Sequence, residues 1–131
     1  MLRILSRLGA VVVGVFLLAA VQSAPASAVD AEGCRIAPGY TFTFSPTCVN
    51  DMAATSYSVA FHAPAGSSYA WSITGDWVAV IGGCGSADAY CTVSTRGSNI
   101  DREVQAQVTV GGVGTRSYTA YIRAFCGSYL C

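Results

Sequence analysis

Glu103-Val104-Gln105-Ala106-Gln107-Val108-Thr109-Val110 decides the fold class of this chain. Apolar side chains stand at every second position, with polar ones between them. Successive residues of a strand point to opposite faces of its sheet, so this stretch reads as a β-strand with one buried and one wet face. The glycine pair Gly111-Gly112 follows and supplies a turn. Beyond it Tyr118, Ala120, Ile122 and Ala124 alternate with Thr119, Tyr121, Arg123 and Phe125.

The same period recurs upstream. Tyr40, Phe42 and Phe44 alternate with threonines; Tyr57, Val59 and Phe61 with Ser58, Ala60 and His62; Tyr69, Trp71 and Ile73 with Ala70, Ser72 and Thr74. Val78 to Ile81 is a short, fully apolar run, and Tyr90 to Thr95 carries Val93 between threonines. Turn formers separate the runs: Ser45-Pro46, Pro64-Ala65-Gly66-Ser67, Gly82-Gly83 and Arg96-Gly97-Ser98-Asn99. About seven short alternating strands at this spacing predict an all-β, two-sheet antiparallel sandwich. Its buried face is expected to hold Tyr57, Val59, Phe61, Trp71, Ile73, Val93, Val104, Val108, Val110 and Ile122, with Tyr118 and Ala120 also turned inward.

The N-terminus supplies the compartment. Arg3 and Arg7 precede an apolar run from Leu8 to Val21, too short to span a bilayer comfortably, and Ala26-Ser27-Ala28 offers a signal-peptidase site. Residues 1–28 are therefore read as a cleaved signal peptide, and 29–131 as one sandwich domain. No cysteine ends the apolar run, so no lipid or membrane anchor is expected after cleavage.

Export gives the cysteines their meaning. Cys34, Cys48, Cys84, Cys91, Cys126 and Cys131 are even in number, and no Cys-x-x-Cys pair invites zinc. Three disulfides are expected, stapling a domain with a modest core. Cys84 and Cys91 flank a short turn-like segment and form the first expected pair. Cys34–Cys48 and Cys126–Cys131 are the next local choices, and Cys48–Cys126 is a rival because the first and last strands of a sandwich often lie side by side.

The residues Tyr69-Ala70-Trp71-Ser72-Ile73-Thr74-Gly75-Asp76-Trp77, then Gly82-Gly83, Cys91-Thr92-Val93-Ser94 and the strand Val104 to Gly112, resemble bacterial PKD-like, immunoglobulin-like modules over roughly residues 57–125. That resemblance implies an immunoglobulin-like sandwich fold. Six cysteines in a solitary module depart from the family pattern and speak against a simple spacer.

From Val29 onward there are five Arg, no Lys and seven carboxylates, a formal net charge of −2. No basic patch can form, which removes the electrostatic basis for nucleic-acid binding. Lysine-free, alanine-rich usage points to a GC-rich bacterial source. His62 stands alone on the polar side of its strand, and no serine lies in a Gly-x-Ser-x-Gly elbow, so no triad is marked. Asp51, Asp76, Asp88, Asp101 and Glu103 are scattered through loops without EF-hand spacing and read as turn formers. No catalytic residue, cofactor or metal is expected.

The remaining functional signal is aromatic. Tyr121, Arg123 and Phe125 sit on the outward side of the last predicted strand, and Trp77 lies in the turn after Gly75-Asp76. Aromatic and arginine side chains are the residues binding patches favour. The sequence thus predicts a secreted, non-enzymatic binding or cell-surface interaction module, its partner an extracellular protein or a cell-wall polymer. The alternative is a small inhibitor of an extracellular hydrolase that presents the Cys84–Cys91 loop.

Overall fold

The computed structural model describes residues 31–131; the expected signal peptide lies outside the described residues. These carry ten strands and no helix: β1 (Gly33–Ala37), β2 (Thr47–Val49), β3 (Ser56–His62), β4 (Tyr69–Gly75), β5 (Ala79–Gly83), β6 (Tyr90–Arg96), β7 (Arg102–Val110), β8 (Gly114–Ile122), β9 (Phe125–Cys126) and β10 (Tyr129–Leu130). One four-stranded sheet runs β1-β3-β6-β5, the other β2-β8-β7-β4, and β9 and β10 form a small separate ladder. All pairings are antiparallel except β2 against β8, which is parallel.

Alternation does what it predicts in the central strands. Tyr57, Val59 and Phe61 of β3 and Val93 of β6 turn to one side of the first sheet; Val104, Val108 and Val110 of β7 and Tyr118, Ala120 and Ile122 of β8 turn to one side of the second. All of them join a single hydrophobic cluster, so the two sheets share one core. Burying a large apolar side chain in such a core is worth roughly 1.5–3 kcal/mol.

The disulfides are Cys34–Cys48, Cys84–Cys91 and Cys126–Cys131, and none of the six cysteines is free. Cys34–Cys48 joins β1 to β2 and so ties one sheet to the other. Cys84–Cys91 closes the loop between β5 and β6, and Cys126–Cys131 closes the loop that carries β9 and β10. The rival Cys48–Cys126 pairing does not form, although the adjacency behind it is present: β2 lies alongside β8.

Three expectations need correction. Tyr40 to Phe44 is not a strand: Tyr40 and Phe42 are 73% and 74% exposed. This segment crosses from the first sheet to the second between β1 and β2, and Pro38-Gly39 opens the crossing. The Asp51 carboxylate holds it, accepting the Tyr40 N–H at 2.9 Å and the Thr41 hydroxyl at 2.7 Å. Those bonds, the Thr41 hydroxyl first, hold the Asp51 carboxyl below its ordinary range. Phe44 folds back over the first sheet, its ring stacked 4.2 Å from that of His62.

Second, Trp71 and Ile73 are only half-buried. They point inward, but β4 ends its sheet and has core packing on one flank only. Trp71 stays in place partly through its indole N–H, which donates to the Asp88 carbonyl at 2.8 Å. Third, the last long strand stops at Ile122, so Phe125 falls on β9, where its N–H donates to the Ser98 carbonyl at 3.0 Å.

Candidate binding surface

Two features occupy neighbouring parts of the surface. The first is β5 and the turn that leads into it. Gly75 ends β4 at φ +93°, a conformation that favours glycine, and a Cβ there would strike the Glu103 carbonyl. The turn is then fixed to both sheets. The Asp76 N–H donates to the Glu103 carbonyl at 2.8 Å, and the Thr95 hydroxyl donates to the Asp76 carbonyl. The Val78 N–H donates to Ser94 at 2.8 Å.

Trp77, 37% exposed, stands at the head of this segment. Val80 pairs with the buried Val93 and so belongs to the inner face, yet it is 49% exposed. The register slips between Val80 and Gly82, and Ile81, the unpaired residue, is 56% exposed. Tyr90, across the hairpin, is exposed too. From Trp77 to Gly83 the chain has no charged side chain, although β5 is an edge strand. Edge strands are ordinarily protected by charge, proline or a cover. Wet faces carry scattered apolar residues as a rule, but contiguous ones mark contact sites.

The second feature is a cavity of about 280 Å³ lined by Val49, Asp101, Arg102, Tyr121, Ile122 and Arg123. It lies where β2 and β8 end and β7 begins. Register fixes the pairing: Val49 opposes Tyr121 on one flank and Glu103 opposes it on the other. Tyr121 is 42% exposed. Arg123 projects into solvent, but its backbone is held by the buried Asn50, whose Oδ1 accepts the Arg123 N–H at 2.7 Å and whose Nδ2 donates to the Arg123 carbonyl at 3.3 Å. Asn50 Nδ2 also reaches the hydroxyl of Tyr57 at 3.0 Å, and that hydroxyl donates to the Met52 carbonyl at 2.7 Å.

Arg102 bridges the two features. Its Nε donates to Ser98 Oγ at 3.1 Å, and one Nη lies 3.8 Å from the Asp76 carboxylate in the turn before Trp77. Of the four residues singled out in the sequence, Tyr121 and Arg123 therefore line one cavity and Trp77 stands at the same end of the molecule. Phe125 is half-buried on β9 and does not line the cavity. Sequence reading passed over Val80, Ile81 and Asn50. The first two looked like an ordinary apolar strand; Asn50 carries no local signal, because its partners lie 7 and 73 residues away.

His62 is half-buried against Phe44, with the Tyr90 ring centroid at 6.3 Å. Among the described residues no three His, Cys, Asp or Glu side chains gather as a metal site. In comparisons with known proteins, no family profile, no curated sequence and no solved structure matches this chain.

Proposed function

We propose that the chain is a secreted, non-enzymatic binding module of immunoglobulin-like topology, contacting an extracellular partner through the β5 side. The single observation that carries this reading is the exposed, uncharged apolar segment from Trp77 to Ile81, the turn into β5 and its first residues. An immunoglobulin sandwich places strands A-B-E-D on one sheet and C-F-G on the other. Taking β1, β3, β4, β5, β6, β7 and β8 as A to G, the orders β1-β3-β6-β5 and β4-β7-β8 agree with that scheme, with β2 as an added strand beside β8. Trp71 on β4 then occupies the strand on which that fold keeps its core tryptophan. Three disulfides fit an oxidising, extracellular setting.

Affinity capture from culture supernatant tests the proposal. The wild-type protein should retain a protein or cell-wall polymer that the Trp77→Ala, Ile81→Thr double variant releases, with both proteins melting within a few degrees of each other. Equal retention by both would remove β5 from the account.

The inhibitor reading draws on one observation of its own. The Cys84–Cys91 loop is fastened to β4 by the Tyr69 N–H on Ser86 at 2.9 Å and by the Trp71 indole on Asp88, which leaves Ser86 and Ala87 exposed at a rigid tip. Saturable loss of a secreted protease's or amylase's activity, abolished by substitution at Ala87 and untouched by Ile81→Thr, would favour it.

A further inference from the structure

The cavity at the end of β8 has a chemistry different from that of β5. Its lining residues carry two guanidinium groups, one carboxylate and a phenol ring, with Val49 as the exposed aliphatic neighbour, since the Ile122 side chain is turned into the core. Two of the five arginines beyond the signal peptide therefore meet at one depression of a chain that is otherwise acidic.

Their commitments differ. Arg102 spends its Nε on Ser98 and sets one Nη at long range from Asp76, which leaves the rest of its donors open. The side chain of Arg123 enters no ion pair among the described residues, and its backbone is fixed at both polar atoms by Asn50. A guanidinium on a fixed backbone loses less freedom when it grips a ligand, and its planar fork suits a carboxylate. Asp101 turns one oxygen to the Ala124 N–H at 2.7 Å. Its second oxygen remains as an acceptor at the cavity wall. Tyr121, flanked by Val49 and Glu103, gives a flat face.

A ligand that satisfies this lining needs a carboxylate for the arginines, hydroxyl donors for Asp101 and a ring face for Tyr121. We infer that this cavity takes a carboxylate-bearing sugar ring, a hexuronic acid unit of an acidic polysaccharide. A volume of about 280 Å³ sits at the lower limit of small-ligand sites, about 300–1,000 Å³, and suits one ring rather than an extended ligand. The assignment rests on the reading of the chain as a binding module but uses none of the β5 residues.

Amide-resolved NMR titration of the disulfide-intact protein with oligogalacturonate tests it. The expected result is saturable shifts at Val49, Arg102, Tyr121 and Arg123. The same oligomer with its carboxyl groups reduced to alcohols should bind at least 10-fold more weakly, as should polyglycerol phosphate, which brings charge without the planar carboxylate. Arg123→Gln should weaken the uronate by about 10- to 100-fold, the worth of hydrogen bonds to a charged group. Arg123→Lys should fall between the two, and Tyr121→Ala should weaken both the acidic and the reduced oligomer. Equal affinity for the reduced oligomer or for the polyglycerol phosphate, unchanged affinity in Arg123→Gln, or an absence of shifts at the cavity would each overturn the inference. Capture through Trp77 and Ile81 in the preceding experiment would still stand, so the two readings fail separately.

Discussion

The two flanks of the molecule use the same sequence pattern and reach different depths. On the flank of β1, β2, β3 and β8, the alternating residues Tyr57, Val59, Phe61, Tyr118 and Ile122 are fully enclosed, and Cys34–Cys48 ties the sheets together beside them. On the flank of β4 and β5, the equally regular Tyr69, Trp71 and Ile73 are half-buried and Val80 is half in water. Alternation tells which residues form a strand and which side is apolar. Depth comes from neighbours: β3 and β8 have a strand on each side. The edge strand β1 still buries Cys34 and Ile36 because the Cys34–Cys48 disulfide and the Ser45 bridge close its margin, whereas the edge strands β4 and β5 keep their apolar side chains partly in water. The closed flank holds the fold, and the open flank keeps apolar side chains in water, which is the surface the proposed function assigns to contact.

The largest expected effect contrasts the two flanks directly. Phe61→Ala should cost about 3–5 kcal/mol, the toll of emptying an enclosed aromatic site. Trp71→Ala, though it removes a larger ring, should cost only about 2 kcal/mol, because part of that side chain is already in water. Urea midpoints of the two variants against wild type check the order, and a reversed order would break the comparison.

Next in size is the inter-sheet staple. Cys34→Ala with Cys48→Ala should lose about 3 kcal/mol in the chain-entropy picture, and Cys126→Ala with Cys131→Ala about 2 kcal/mol, since the second pair closes a shorter loop. Thermal melts under non-reducing conditions measure both. Equal losses would show that loop length does not set what these two staples contribute.

The smallest effect concerns a flaw in the closed flank. The hydroxyl of Tyr118 is buried with no hydrogen-bond partner among the described residues. Tyr118→Phe should therefore be neutral or stabilising by up to about 1 kcal/mol. Burial, seconded by the negative charge of Glu32, pushes the Tyr118 phenol up to about 12 from an ordinary value of 10.0. The folded state thus favours the neutral phenol. Its contribution to stability is whole below pH 10 and is lost as pH rises from about 10 to about 12. The stability of Tyr118→Phe should decline less over that window, as read by denaturant titration at each pH.

Much of the fold was legible because β3, β6 and β7 carry enough alternating residues to set their own phase. The local disulfides were legible for a similar reason, since the spacing of Cys84 and Cys91 leaves room for a turn. What escaped was short or depended on distant neighbours. β1 and β2 span 5 and 3 residues, too few to show a period beside Pro38 and Pro46. Tyr40 to Phe44 alternates well but lies in the crossing between the sheets, where no neighbour offers it a ladder. At the candidate surface, Tyr121, Arg123 and Trp77 were visible as aromatic and arginine residues on predicted outward positions. The exposure of Val80 and Ile81 was not, because it follows from β5 lying at the margin of its sheet. Nor was the role of Asn50, which joins the chain between β2 and β3 to the end of β8 through bonds that only the folded chain brings together.

Amide hydrogen exchange, measured on the free protein and on the protein bound to its captured partner, tests the division of labour most directly. The account predicts that β3 and β8 amides exchange slowly in both states. The amide of Ile81, the residue left unpaired on β5, should exchange quickly in the free protein and gain at least 10-fold protection in the complex. Protection of Ile81 that is already high in the free protein, or unchanged by the partner, would contradict the claim that the open flank is the contact surface.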